Sequence, residues 1–409
     1  MRAVVVSCVF PPEPVVSSRT SFDVARTLAA HGHEVNVLAP FPNRPAGALY
    51  PGFRRSLFRR EASPDGFRIV RCGSVLSRRS SLSSRLAENV SFGVTSSLAL
   101  LAAPRPAVVY VNTWPVFAAA MVLVVARLRR VPVVFSVQDM YPESLLSQRR
   151  RGSRWVAAAV RAIDGAVTRA AAALIVISAE FAERYRRTRR VDPSRIHVVP
   201  NWLSAEGTEE QPEAAAAVRR RHGIPAGAFL VTYAGNVGVA AGVETVVEAF
   251  RMIDDANVHL LIVGDGASVE QCQRLAGDVA PDRIHFQRVW NGLLDVQHAA
   301  DALVLPTRGR QSMASMPSKL ISYFFSARPV IAGALDGSET VEVIAAAGAG
   351  VVVPPDDAGA FAAAIRDISA VAPEERMRMG RAGRTWALAN VTAEVCLPRV
   401  VDIVEREAR

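Results

Sequence analysis

Lysine occurs once in the 409 residues, at position 319, against 47 arginines. A chain that uses guanidinium for every other side-chain cation, apart from histidine, and ammonium once marks a place for a compact, rotatable point charge instead of a planar fork. Phosphate oxygens are one ligand of that kind. The surrounding segment, Met316-Pro317-Ser318-Lys319-Leu320, predicts a helix start with proline at an early position, so the ammonium and the positive end of the helix dipole fall together. An Arg-rich composition with one ordinary surface lysine explains Lys319 equally well by itself. Its neighbours have to decide.

Three further loops share this chemistry. Tyr233-Ala234-Gly235-Asn236-Val237-Gly238 follows a strand pattern and precedes a helical one, so its glycines let backbone approach a ligand where free N–H groups favour phosphate. Ile262-Val263-Gly264-Asp265-Gly266 is a second glycine turn at a strand end, and Gly337-Ser338-Glu339-Thr340 opens a helix that Ser338 is placed to cap. Each alone is weak. In an open α/β sheet, however, ligands bind at the carboxyl ends of the strands, and all four segments are predicted at that edge. The binding candidates are therefore Gly235, Asn236, Gly238, Gly264, Asp265, Gly266, Ser318, Lys319, Ser338 and Glu339. In the first half Asp139 and Glu143 read by themselves as helix-end or turn carboxylates, and spacing alone makes neither a catalytic base. No metal site is expected: the nucleotide-side loops carry no DxD or Asp/Glu/His cluster, and the seven histidines show no metal or triad spacing.

The elements that position these loops follow from periodicity. Ala3–Val9, then Phe22, Ala25, Leu28 and Ala29 at helical spacing up to Gly32, then Glu34–Leu38 make a βαβ unit. Apolar runs at Ala107–Val111, Val131–Val137, Ala173–Ile177 and Ile196–Val199 alternate with helical stretches near 116–130, 154–172 and 179–190, which predicts a parallel sheet covered on both faces. A polar stretch from Leu203 to Pro212 reads as a linker, after which alternation restarts and continues to about residue 369. Residues 374–408 read as helical throughout, broken near Pro398. The expected domains are 1–200, 201–385 and a terminal helix at 386–409.

Composition narrows the setting. Residues 1–200 hold 29 Arg against 12 Asp+Glu, net +17; residues 201–409 hold 18 Arg and Lys319 against 26 acids, net −7. The basic half suits nucleic acid, an anionic lipid surface or a phosphorylated substrate, although any single arginine run reads better as a solvated face, and the apolar run around Phe92–Ala103 adds a membrane-facing element. Four dispersed cysteines argue against a disulfide framework and for a reducing cytosol. The apolar segment Ala107–Ala126 is interrupted by Asn112, Thr113 and Pro115, so it reads as strand, turn and helix and not as a membrane span. The N-terminus reads as a first strand without a signal peptide.

Taken in order, the motifs resemble family 4 of the retaining GT-B glycosyltransferases, most closely the branch that builds cell-surface polysaccharides and lipid-linked glycans from nucleotide-activated amino sugars. In the first half the resemblance rests on Phe10-Pro11-Pro12-Glu13-Pro14 with Arg19, Gly32-His33-Glu34-Val35, Pro42-Asn43-Arg44-Pro45 and Val137–Ser144. In the second it rests on Tyr233–Gly238, Val263–Gly266, Ser315–Leu320 with Arg328-Pro329-Val330, and Asp336–Glu339. It implies an α/β fold of two doubly wound Rossmann-like domains facing a cleft, the second holding a nucleoside diphosphate sugar and the first an acceptor. It also implies a terminal helix that crosses back to the first domain, metal-independent transfer with Lys319 facing the leaving diphosphate, and Asp139 and Glu143 as candidate active-site carboxylates better suited to orienting the acceptor than to abstracting a proton. Some family features are missing. The paired glutamates would fall at Ala314 and Ser322, the first-domain histidine at Asn112, and the Arg/Lys pair after Gly238 near Ala240 and Ala241.

The expected activity is transfer of a hexose or N-acetylhexosamine from an NDP-sugar, UDP being the expected nucleotide, to a lipid-phosphate-linked, glycan or phosphoglycolipid acceptor. Retention of configuration, no cofactor beyond the donor, no nucleic-acid partner, and a cytoplasmic enzyme peripheral on the membrane complete the expectation. Two other readings stay open at this level: a UDP-sugar epimerase of related fold, and a non-catalytic partner that binds nucleotide sugar or membrane.

Overall fold

The computed structural model describes residues 1–13, 16–44, 47–76, 82–113, 116–138, 140, 154–288, 292–309 and 317–409. These fall into two units, Met1–Asn201 with Cys396–Arg409, and Trp202–Val395.

The first unit contains β1 (Arg2–Ser7), α1 (Val16–Ala30), β2 (Glu34–Pro40), β3 (Phe58–Ala62), β4 (Arg68–Cys72), α2 (Leu82–Ala102), β5 (Val108–Thr113), α3 (Val116–Leu128), β6 (Val133–Val137), α4 (Arg154–Ala170), β7 (Ala173–Val176), α5 (Ala179–Arg189) and β8 (Ile196–Val198). Among the described residues the strands form one sheet in the order β3-β4-β2-β1-β5-β6-β7-β8, with only the β3–β4 pair antiparallel. The central strands are apolar on both faces, Val4, Val5 and Val6 all being buried, because helices cover the sheet on both sides. Connections leave β1 one way to β2, while β5 lies on its other side, so the switch point falls between β1 and β5.

The β3–β4 hairpin is invisible to hydrophobic patterning because β3 is an edge strand and four of its five residues are exposed. What holds it is Arg71, buried among aromatic rings. Its guanidinium lies over Phe10 and Phe53, pairs with Glu61 at 3.1 Å, and donates to Pro11 O at 2.8 Å.

The second unit contains α6 (Pro212–Arg221), β9 (Phe229–Ala234), α7 (Val243–Ala249), β10 (Val258–Val263), α8 (Val269–Val279), β11 (Ile284–Gln287), α9 (Leu293–His298), β12 (Ala302–Leu305), α10 (Ser318–Phe325), β13 (Val330–Gly333), α11 (Glu339–Ala347), β14 (Gly350–Val353), α12 (Ala358–Ala370), α13 (Pro373–Asn390) and the start of α14 (Ala393–Glu407). Its six strands are all parallel, ordered β11-β10-β9-β12-β13-β14, with the switch point between β9 and β12. That order brings the loops after β9 and β12 together at one sheet edge.

The C-terminal helices differ from expectation in two ways. The break lies at Val391–Thr392 and not at Pro398, which sits inside α14. Leu203 causes it by inserting its backbone there, donating to Val391 O at 3.1 Å and accepting from Ala393 N at 3.1 Å. The crossing to the first unit also begins later, at Cys396 instead of 386, because α13 packs on α10 and α11 and so belongs to the second unit.

Candidate active site

At the end of β9 the chain must turn tightly against two neighbours. Gly235 and Gly264 have φ of +148° and +150°, and a Cβ on Gly264 would collide with Gly235 O, so the ends of β9 and β10 meet backbone to backbone. Gly235 N donates to Val263 O at 2.8 Å and Val237 N to Asp265 O at 2.9 Å. The N–H groups of Asn236 and Gly238 have no backbone acceptor among the described residues.

Lys319, one residue into α10, lies across this turn. A Cβ on Gly235 would collide with Lys319 Cε, so the missing side chain is what gives the lysine stem its path. Nζ sits 3.5 Å from Asn236 O, too long to tie the ammonium down, and 5.1 Å from the centre of the Tyr233 ring. Burial, with no carboxylate partner among the described residues, lowers its pKa from 10.5 to about 8. A half-buried ammonium beside a glycine turn at a topological switch point has the charge and geometry that suit an anion. Pro317 takes the cap position of α10, with Ser318 exposed as its first residue.

The turn is braced from behind. Tyr323 on α10 is fully buried, and its hydroxyl accepts from Ala234 N at 2.9 Å and donates to Ala234 O at 3.2 Å. Asp265 is exposed and closes its own turn by accepting from Gly266 N at 2.8 Å. At the end of β13, Ser338 occupies the cap position of α11, but its hydroxyl makes no capping bond; Ser338 Oγ and Thr340 Oγ1 are buried and have no partner. Glu339 opens the same helix between them.

Patterning missed Arg308. The positions near Ala240 and Ala241 lack the expected cations, yet the loop after β12 brings a guanidinium there. Arg308 N donates to Ala240 O at 3.2 Å, its stem packs on Gly242, and its guanidinium pairs with Glu244, the second residue of α7. Glu244 is buried. Only the strand order, which sets β12 beside β9, could have revealed this contact. Ser322, where a family glutamate would fall, is occupied internally: its hydroxyl bonds to the Gln297 side chain at 3.0 and 3.1 Å. Arg328, of the Arg328-Pro329-Val330 motif, fastens the start of β12 through Ala300 O, His298 O and Glu210.

In the first unit, buried Glu13 joins two motifs that are far apart in sequence. Its Oε1 accepts from Asn43 N and Arg44 N, both at 2.9 Å, and Oε2 from Phe10 N at 3.3 Å. At the switch point Asn112, on β5, donates to Ser21 Oγ at 2.8 Å and Ser17 O at 3.2 Å on α1, and its Oδ1 is buried without a partner. Asp139 and Glu143 lie outside the described residues; Gln138, following β6, bonds to Ser136 at 3.2 Å.

Residues 17–202 match the family model of the glycosyl transferase 4-like domain, and residues 228–370 match that of glycosyl transferases group 1. The chain belongs to family 4 of the GT-B glycosyltransferases. Among its relatives, WcaI of Escherichia coli K12, named as a glycosyl transferase for colanic acid biosynthesis, is 24% identical over 78% of this chain and 80% of its own. WbjE of Pseudomonas aeruginosa, named as a glycosyltransferase, is 25% identical over 58% and 59%. Solved structures share the fold at low identity. HepE of Anabaena, in complex with UDP, has a TM-score of 0.73 at 12% identity, covering 99% of this chain and 100% of its own. Sucrose-phosphate synthase of Thermosynechococcus elongatus reaches 0.75 at 19%, covering 99% of both. The glycosyltransferase thus combines the two parallel-sheet units of this fold with its own set of polar groups around Lys319.

Proposed function

We propose that the glycosyltransferase moves a hexose or N-acetylhexosamine from a UDP-sugar, with retention and without a catalytic metal, to a lipid-phosphate-linked, glycan or phosphoglycolipid acceptor in cell-surface glycan assembly. The observation that carries this reading is the ammonium of Lys319, held over Gly235 at the switch point of the second unit with no carboxylate partner among the described residues. The diphosphate would lie against Nζ and the backbone N–H groups of the Gly235–Gly238 turn, which replace a divalent ion as counter-charge. Charge growing on the leaving phosphate is then met by groups already in place, the arrangement that lowers a barrier most. In a front-face retaining transfer the departing phosphate oxygen can take the acceptor's proton, so no protein nucleophile is required.

The UDP and UDP-glucose bound to HepE support the donor class, and the naming of WcaI for colanic acid supports the glycan setting. Asp139 and Glu143 remain the candidates for orienting the acceptor. No helix among the described residues is long and apolar enough to cross a membrane. The basic first half and the exposed apolar residues of α2 support a lipid-surface acceptor instead. UDP release from a panel of UDP-sugars, with and without polyprenyl-phosphate and glycan acceptors, tests the reading; acceptor-dependent release after EDTA treatment is expected. Release without any transferred sugar, or none with any donor, would support a binding role.

A further inference from the structure

The first unit gathers a second polar cluster at the opposite sheet edge from Glu13 and Asn112. His31 and His33 flank Gly32, where the chain reverses at φ +79° between α1 and β2. Glu405 comes from α14, 372 residues after His33. His33 Nε2 lies 2.8 Å and His31 Nδ1 3.2 Å from the same oxygen, Glu405 Oε1, and the three ligand atoms all lie within 4.8 Å of one another. Among the described residues no arginine pairs with Glu405, in a chain that carries 47 of them.

We propose that His31, His33 and Glu405 bind a divalent transition-metal ion of the zinc class, which fastens α14 to the turn between α1 and β2. Zinc bonds of about 2.0–2.1 Å to imidazole and about 2.0–2.2 Å to carboxylate set neighbouring ligand atoms about 3.3 Å apart in a tetrahedron. The observed separations of 2.8 and 3.2 Å are within a few tenths of an ångström of that. Two imidazoles and one carboxylate suit zinc, copper or nickel, whereas magnesium and calcium require a shell of oxygens. The half-exposed His31 leaves the fourth position open to water. Loading requires the nitrogen of each ring that faces Glu405 to be unprotonated, any proton there passing to the other ring nitrogen or to solvent; binding through His33 Nε2 leaves its Nδ1 toward Met1 N, 3.4 Å away. The ion would be structural, because its ligands lie at the N-terminal end of β2, away from the loops that carry the transfer chemistry.

The test uses the full chain without an affinity tag, stripped with a chelator and titrated with Co²⁺ and then Zn²⁺. One equivalent of Co²⁺ giving visible ligand-field absorption, displaced by one equivalent of Zn²⁺ and accompanied by a rise in Tm, is the expected result. Glu405→Gln and the His31→Gln/His33→Gln double variant should each weaken Zn²⁺ binding by more than ~10-fold. His259→Gln/His285→Gln, which removes the stacked histidine pair of the second unit, should leave it unchanged. Circular dichroism confirms that each variant is folded. No saturable Zn²⁺ binding by the folded wild-type chain, or equal affinity in the Glu405→Gln variant, would overturn the proposal and leave a hydrogen-bonded His–Glu cluster.

Discussion

Lys319 reaches its position over the bare Cα of Gly235: a Cβ there would fall on Lys319 Cε, and within 3.2 Å of Nζ. The only lysine and a left-handed glycine 84 positions earlier are therefore one structural feature. Lys319→Ala should lower kcat by about 10²–10³-fold with a smaller effect on KM, the range for removing a positioned electrostatic donor. Lys319→Arg should rescue only part, since a planar fork does not follow the same path. Gly235→Ala should cause a comparable loss by displacing the ammonium, and the double variant should be little worse than Lys319→Ala. Multiplicative losses would show that the two residues act independently.

The desolvated ammonium also predicts a pH dependence. Its pKa falls from 10.5 to about 8 in the folded chain, so between those values the unfolded state holds the proton more tightly and stability rises with pH; below about 8 the full cost of burying the charge is present. Lys319→Met should therefore raise Tm at pH 7 while removing activity. A bound diphosphate holds the proton on, so UDP affinity should be highest below about pH 8 and fall by at most ~10-fold per pH unit above it. Calorimetry of UDP binding across this range, repeated on Lys319→Met, checks the sign: the variant should lose the slope.

Arg308 and Glu244 test whether the cation missing from the β9 turn is supplied from β12. Arg308→Ala leaves a buried carboxylate without its partner and should destabilise the chain by about 1–3 kcal/mol. Arg308→Ala/Glu244→Gln should recover much of that loss in Tm. If Arg308 also meets the donor, UDP binding should stay weak in the double variant even as stability returns.

Tyr323→Phe removes one hydroxyl that serves both backbone groups of Ala234. The Ala234 N–H then has no acceptor, so a loss of about 1–3 kcal/mol is expected, measurable by denaturant unfolding. Because Ala234 precedes Gly235, KM for the donor should rise as well. An unchanged KM at reduced stability would confine Tyr323 to a supporting role.

The proposed lipid-facing surface takes a sharper form than the apolar run at 92–103 indicated. Phe92 and Leu100 are buried, whereas Val94, Leu98 and Leu101 are exposed at i, i+4 and i+7 along α2, and Val124 and Leu128 at i and i+4 along α3. Binding of the full chain to anionic vesicles should fall steeply with salt, because each basic residue near such a surface contributes about 1 kcal/mol within a Debye length. Leu98→Gln/Leu101→Gln should weaken sedimentation with those vesicles. Equal binding to neutral vesicles would remove the electrostatic part.

The sequence by itself determined the two doubly wound units and the glycine turns at their strand ends, because strand–helix alternation and strand-end glycines are local properties written in consecutive residues. It could not show the β3–β4 hairpin, an exposed edge held by a single buried arginine, nor the helix break, which backbone from Leu203 imposes at Val391. Tertiary structure alone decided that Ser338 would not cap its helix, that Ser322 would turn to Gln297, and that Arg308 would arrive beside Ala240. It likewise decided that Glu13 would join two distant loops and that Glu405 would meet His31 and His33. Each of these depends on which strands become neighbours or where a distant helix returns. The energy that selects such contacts comes from burial summed over the whole core, and no local stretch of sequence carries it.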